Sequence, residues 1–169
     1  DNGGVTIGGG EATFFPDFTL EFIHRCQQAY IHTALDTCGF ILTDAGLEAL
    51  AQADLVLYDI KGLDSDAHRR YTGVPNEVIR KNLLYRDCLP IIPGYTDSQS
   101  NLLETADFLA SLKSVRRVDV LPVHKYGALK YEQLGKPYII GGVRLYTPEE
   151  EQRLKSIFEQ KGLNVQIGG

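Results

Sequence analysis

The stretch ADLVLYDIKGLD, residues 53–64, constrains the fold more than any other part of the chain. Leucine, β-branched and aromatic residues dominate from Leu55 to Ile60, with no glycine or proline. Such a run suits a strand covered on both faces in a parallel sheet. Because side chains alternate along a strand, Asp59 and Lys61 emerge on one face at its carboxyl end. Ligands of open α/β sheets and barrels sit at that end, where a carboxylate and an ammonium together suit a zwitterion. Taken alone, the stretch reads better as an ion pair that terminates a strand.

The rest of the chain alternates strands with helices. Val5–Ile7 is a short strand that runs into Gly8, Gly9, Gly10 and Glu11, and a glycine cluster there brings backbone close to something. Pro16 to Ala29 has helical spacing, with Phe18, Leu20, Phe22, Ile23 and Cys26 as its apolar set. A strand over Ile31–Leu35 ends in Asp36, Thr37, Cys38 and Gly39, and Thr43 or Asp44 caps a helix to about Gln52. After the breaker TGVPNE, a helix capped by Asn76 is expected from Glu77 to Tyr85. A strand ending in IIPGYTDS follows, then a helix from Gln99 to Leu112 capped by Ser98, with Leu102, Leu103, Ala106, Leu109 and Ala110 on its apolar face. Arg117–Val123 is a strand ending at His124, Thr147 and Pro148 open a helix with Glu149, Glu150 and Glu151 in its first turn, and LNVQI is the last strand. The expected architecture is one α/β domain, with a parallel sheet and right-handed crossovers, open or rolled into a partial barrel.

Polar groups recur at one rim of that sheet: Glu11 with its glycines, Asp36 and Thr37, Asp59 and Lys61, the Pro93–Thr96 loop, and His124. One polar residue at a strand end is usually a loop anchor, but recurrence at the same rim favours a site for a small charged molecule. Asp36, Thr37 and Asp59 also offer oxygen ligands for a hard cation. GGGE lacks both the dinucleotide-loop spacing and a P-loop lysine. A net charge of -5 argues against a nucleic-acid surface, and no apolar run reaches the roughly 18 residues that cross a bilayer. A cytosolic location is expected, since the three cysteines, Cys26, Cys38 and Cys88, form neither a disulfide framework nor a CxxC clip.

Taken together, GGVTIGGGE, IHTALDTCG, ADLVLYDIKGLD, YTGVPNE, IIPGYTD, VLPVHKYGALKYEQLG and GLNVQIGG resemble, in order, the activating enzymes of glycyl radical enzymes. Pyruvate formate-lyase activating enzyme is the best-known of these radical S-adenosylmethionine (SAM) proteins. The resemblance implies a partial (β/α)6 barrel and a [4Fe-4S] cluster that chelates SAM. It also implies a 5'-deoxyadenosyl radical that takes a hydrogen atom from a backbone glycine of a partner glycyl radical enzyme. By position it assigns Gly9, Gly10, Glu11 and Asp36 to the methionyl amino group, Lys61 to its carboxylate and His124 to the adenosine. Asp36, Thr37, Asp59 and the Leu57 carbonyl match a monovalent-cation site.

Two departures are evident. The cysteines are separated by 12 and 50 positions, so the family's CxxxCxxC cluster motif is absent and the chain is expected to be a carboxyl-terminal portion, inactive by itself. Gly8 and Ala12 stand where many relatives carry serine and proline. No methionine occurs, and a helix passes almost directly into a strand near Leu84–Leu89, which suggests missing residues there. Loss of an upstream strand is expected to leave Val5–Ile7 as an open edge prone to weak self-association. The readings to be weighed against this one are a barrel aldolase using Lys61 as a Schiff-base amine, a metal-dependent hydrolase around Asp36, Asp59 and His124, and a non-catalytic binding module.

Overall fold

The computed structural model describes residues 3–83, 89–91, 97–113, 115, 117–121, 135 and 145–168. Six strands and six helices lie among them: β1 Gly4–Ile7, α1 Pro16–Gln28, β2 His32–Thr37, α2 Asp44–Gln52, β3 Leu55–Tyr58, α3 Ser65–Thr72, α4 Glu77–Leu83, β4 Leu89–Ile91, α5 Gln99–Ser111, β5 Val118–Val120, α6 Pro148–Glu159 and β6 Val165–Ile167. Every pairing is parallel, in the orders β1-β2-β3 and β4-β5-β6, and β3 lies against β4. Parallel neighbours require crossovers, which the intervening helices supply. The architecture is the α/β parallel sheet expected, in the open form of a partial barrel.

Local chemistry sets the element boundaries. Pro16 starts α1, and the side chains of Thr43 and Ser98 accept from Gly46 N–H and Asn101 N–H to cap α2 and α5. Thr147 and Glu150 form a reciprocal capping box at α6, which accounts for the glutamates gathered there. One helix was not anticipated. In α3, Asp64 accepts from Asp66 and Ala67 N–H at the start, and Gly73, at φ 84°, ends it. Its sequence SDAHRRYT is so polar that no apolar period announces it.

The core forms where the helices cover the sheet, with Leu35, Val56, Tyr58, Leu83, Leu109, Val118 and Phe158 nearly or wholly inaccessible. Three expectations are corrected here. On α1 the buried positions are Thr19, Ile23 and Cys26, one stripe at helical spacing, so Phe18 points out and stacks on Phe22. On α5, Leu102, Thr105, Ala106 and Leu109 face in, while Leu103 and Ala110 are exposed. Asn76 does not cap α4 with its side chain: its amide donates to the Gly62 carbonyl at 2.9 Å, and its Oδ1 has no partner among the described residues. Strand ends shift as well, since β2 includes Asp36 and Thr37 and β3 stops at Tyr58. The suspected gap near residues 84–88 lies outside the described residues. Among them, no helix is long and apolar enough to cross a membrane.

The turn after β2 is locked from behind. Tyr58 donates to the Ile79 carbonyl at 2.7 Å, and the Asn82 amide reaches the carbonyls of Gly39 and Ile41, each at 2.9 Å. Gly39 has φ 74°, and a Cβ there would stand 1.8 Å from the Tyr58 hydroxyl. Only glycine fits both the backbone and the space. Gly39→Ala is therefore expected to cost about 2–4 kcal/mol of unfolding free energy, from strain added to overpacking. Urea unfolding measures it, and an unchanged midpoint contradicts the packing described.

Candidate functional site

A cleft of about 460 Å³ opens at the carboxyl ends of β1, β2 and β3, lined by Gly10, Glu11, Asp36, Asp59 and Lys61 among others. Register explains the convergence. Ile7 pairs with Leu35 and Asp36 with Leu57, so the residues that follow β1 and β3 lie beside the end of β2. Leu35 and Tyr58 turn to the helix-covered face, and alternation turns Asp36 and Asp59 the other way.

Lys61 Nζ lies 2.6 Å from Asp59 Oδ2, the pairing that two positions along one strand face allow. The other oxygen of Asp59, Oδ1, is buried with no hydrogen-bond partner among the described residues. Partial desolvation at the cleft wall, where Asp36 stays exposed on its open side, holds its carboxyl above the ordinary pKa, and repulsion from Asp59 and then Glu11 adds to this, while Lys61 partly offsets it. Gly8 packs on that carboxylate, since a Cβ there would come within 3.2 Å of Asp36 Cβ and Oδ2. Gly9 and Gly10, at φ 86° and 65°, have open space where side chains would be. Gly10 lines the cleft.

Glu11 behaves differently from Asp36. Burial raises its pKa, but hydrogen bonds from Cys38, Thr13 and Thr37 outweigh burial and hold it below the ordinary value. Thr37 is 2% exposed, and its hydroxyl donates to Glu11 and accepts from Gly39 N–H. Burial and the nearby Glu11 push the Cys38 thiol up to about 11, so it stays protonated.

The structure thus brings Gly10, Glu11, Asp36, Thr37, Asp59 and Lys61 to one cleft, with Gly9 beside them and Leu57 opposite Asp36 in the register. His124 and the Pro93–Thr96 loop lie outside the described residues. Sequence reasoning missed His68, which lines the cleft while 4% exposed, its Nδ1 2.8 Å from the Val74 carbonyl and 3.0 Å from Thr72 Oγ1. The available signal was Asp64 as a helix cap, with His68 one turn inside. The apolar walls, Phe14, Phe40, Val74 and Ile79, were also missed, since nothing local in sequence joins them.

Residues 2–109 match the family described as the Radical SAM superfamily. The chain belongs to the radical SAM superfamily. It is 33% identical to choline trimethylamine-lyase activating enzyme of Oleidesulfovibrio alaskensis, covering 98% of this chain and 57% of that protein. It is 31% identical to pyruvate formate-lyase 1-activating enzyme of Escherichia coli strain K12, over 96% of this chain and 70% of that one. A solved domain of a pyruvate-formate lyase-activating enzyme from Bacteroides vulgatus superposes with a TM-score of 0.78 at 28% identity, covering 99% of each chain. All three are named as activating enzymes, two of them of pyruvate formate-lyase, in agreement with the resemblance read from the motifs. The chain spans less than two thirds of the length of the first of them.

The raised pKa of Asp36 carries a stability consequence. A carboxylate with a raised folded-state pKa destabilises the fold above that value, and the penalty disappears once the group is protonated in both states. Asp36→Asn is therefore expected to raise the melting temperature of the ligand-free chain at pH 7, a gain that vanishes below the ordinary carboxylate value. Thermal melts from pH 3 to 7 measure it. A variant less stable than the parent at neutral pH contradicts the repulsion.

Proposed function

We propose that this chain is the SAM-binding part of a radical SAM activating enzyme that generates a glycyl radical on a partner glycyl radical enzyme. One observation carries the reading: two carboxylates and an ammonium converge at one rim, with Asp59 Oδ1 buried and unpartnered. A buried acceptor without a donor is costly, and a cationic ligand group at that point relieves both this cost and the repulsion on Asp36. The methionyl end of SAM carries an ammonium and a carboxylate, so it offers a partner to each sign of charge. In this reading Asp36 and the backbone of Gly9 and Gly10 meet the amino group, Lys61 turns to the carboxylate, and His124 meets the adenosine. Asp36, Asp59, Thr37 and the Leu57 carbonyl form the surroundings of a monovalent cation. SAM held there would be the source of a 5'-deoxyadenosyl radical, with methionine as the other product, once a one-electron reductant held outside this cleft cleaved its sulfonium bond, and the radical would take a hydrogen atom from the partner's glycine.

The [4Fe-4S] cluster of this family does not fit the cysteines of this chain. Cys26, Cys38 and Cys88 lack the CxxxCxxC spacing, Cys26 is buried in α1, and the Cys38 thiol is protonated. The aldolase reading is disfavoured by the Asp59 carboxylate against Lys61, because a Schiff-base amine is activated by desolvation or a cationic neighbour.

The reading further takes the chain as one domain without nucleic-acid partners, in keeping with its net charge of -5, and places it in the cytoplasm. It also takes β1, which pairs with β2 at one end of its sheet, as an edge for weak self-association. Light scattering over a concentration series tests that, and a mass independent of concentration contradicts it. The central test is calorimetric titration with SAM. Loss of one charge-assisted contact at Lys61→Ala is expected to weaken binding about tenfold or more, and unchanged affinity contradicts the assignment.

A further inference from the structure

Glu11 lines the cleft, yet both of its carboxylate oxygens are engaged by the protein itself. Oε1 accepts from Thr13 N–H at 3.2 Å, Thr13 Oγ1 at 2.6 Å and Thr37 Oγ1 at 2.8 Å, and Oε2 accepts from Cys38 N–H at 2.8 Å. Each carboxylate oxygen has about two lone-pair sites, so Oε1 is saturated by its three donors, and Oε2 bonds the Cys38 N–H while the Cys38 side chain also hydrogen-bonds the carboxylate, which leaves little acceptor capacity for a ligand's ammonium. Asp36 and Asp59 differ in this respect, since Asp36 is exposed at the cleft and Asp59 Oδ1 is unpartnered.

The bonds made by Glu11 extend across the rim. The hydroxyl of buried Thr37 accepts from Gly39 N–H at 3.0 Å, and the Gly39 carbonyl accepts from the Asn82 amide at 2.9 Å. The connection therefore runs from the turn after β1, over the end of β2, to α4. On one side of it stand Gly9 and Gly10 in left-handed conformations, and on the other the turn from Cys38 to Phe40.

We propose that Glu11 is a positioning residue that holds these two turns at a fixed separation through Thr37 and makes no direct contact with the bound zwitterion. The proposal rests on the reading of the cleft as a SAM site and assigns a role within it. Glu11 keeps the glycine backbone and Asp36 in register, and Thr37 serves as the link in that clamp.

Two measurements test it. In the ligand-free chain, amide hydrogen exchange at Cys38 and Gly39, the donors to Glu11 and Thr37, is expected to quicken about tenfold or more in Glu11→Gln and in Thr37→Val. Thr37→Ser, which keeps the hydroxyl, stays near the parent rate, and unaltered exchange in α5 shows that the fold is intact. Unchanged exchange at Cys38 and Gly39 overturns the clamp. In calorimetric titration with SAM, Glu11→Gln and Thr37→Val each weaken binding about tenfold, and the double variant loses no more than either alone, because the two act as one unit. Thr37→Ser restores affinity. Additive losses, or a loss confined to Glu11→Gln, make Glu11 a direct ligand and overturn the proposal. A parent chain that does not bind SAM removes the reading of the cleft, and the exchange rates then decide the clamp by themselves.

Discussion

Three carboxylates at one rim, with the ammonium of Lys61 beside them, are the constraint on which this structure turns. Glu11, Asp36 and Asp59 repel one another, and the protein relieves each differently. Glu11 is held as a carboxylate by four hydrogen bonds, Asp59 pairs with Lys61 through one oxygen, and Asp36 has neither. What is left over, a raised Asp36 and an orphaned Asp59 Oδ1, is an unmet demand for positive charge at a defined place. Sites that must bind a cationic group strongly keep such demands unmet in the free protein, at some cost in stability.

The fold brings those residues together. Parallel pairing puts the carboxyl ends of β1, β2 and β3 side by side, and short crossovers through α1 and α2 set the register that places Asp36 against Leu57. The helix-covered face supplies the core, so the opposite face is free for polar groups. Behind the rim, Tyr58, Asn82 and Gly39 form a wholly internal lock, and burial holds the Tyr58 phenol far above its ordinary pKa. A rigid backing of this kind lets loops carry charge without drifting apart.

Much of this was legible in the sequence for physical reasons. The run LVLY in a strand followed by Asp59 and Lys61 fixes their common face by alternation alone, and Thr147, Pro148 and the glutamates announce α6 by capping chemistry. Other features were not legible. Helix α3 has no apolar stripe, because its packed residue is a histidine, so periodicity passed over it and missed His68. Phe18 fits a helical period but faces out, since Thr19 takes the inward position and donates to the Ala12 carbonyl at 2.7 Å. The number of donors on Glu11 depends on contacts between residues 26 and 27 positions apart, which spacing rules do not reach. Family motifs located the glutamate, but its hydrogen bonds suggest how it acts.

The central claim is that the unmet charge at the rim is the recognition element for the ammonium end of a zwitterionic ligand. The most direct measurement is the pKa of the Asp36 carboxyl, followed by carboxyl-carbon NMR with and without saturating SAM. The account predicts a value above the ordinary carboxylate range in the free chain, set by burial and by Asp59 and Glu11, and a clear fall on binding as opposite charge arrives. A pKa that stays where it was when SAM is bound would contradict it.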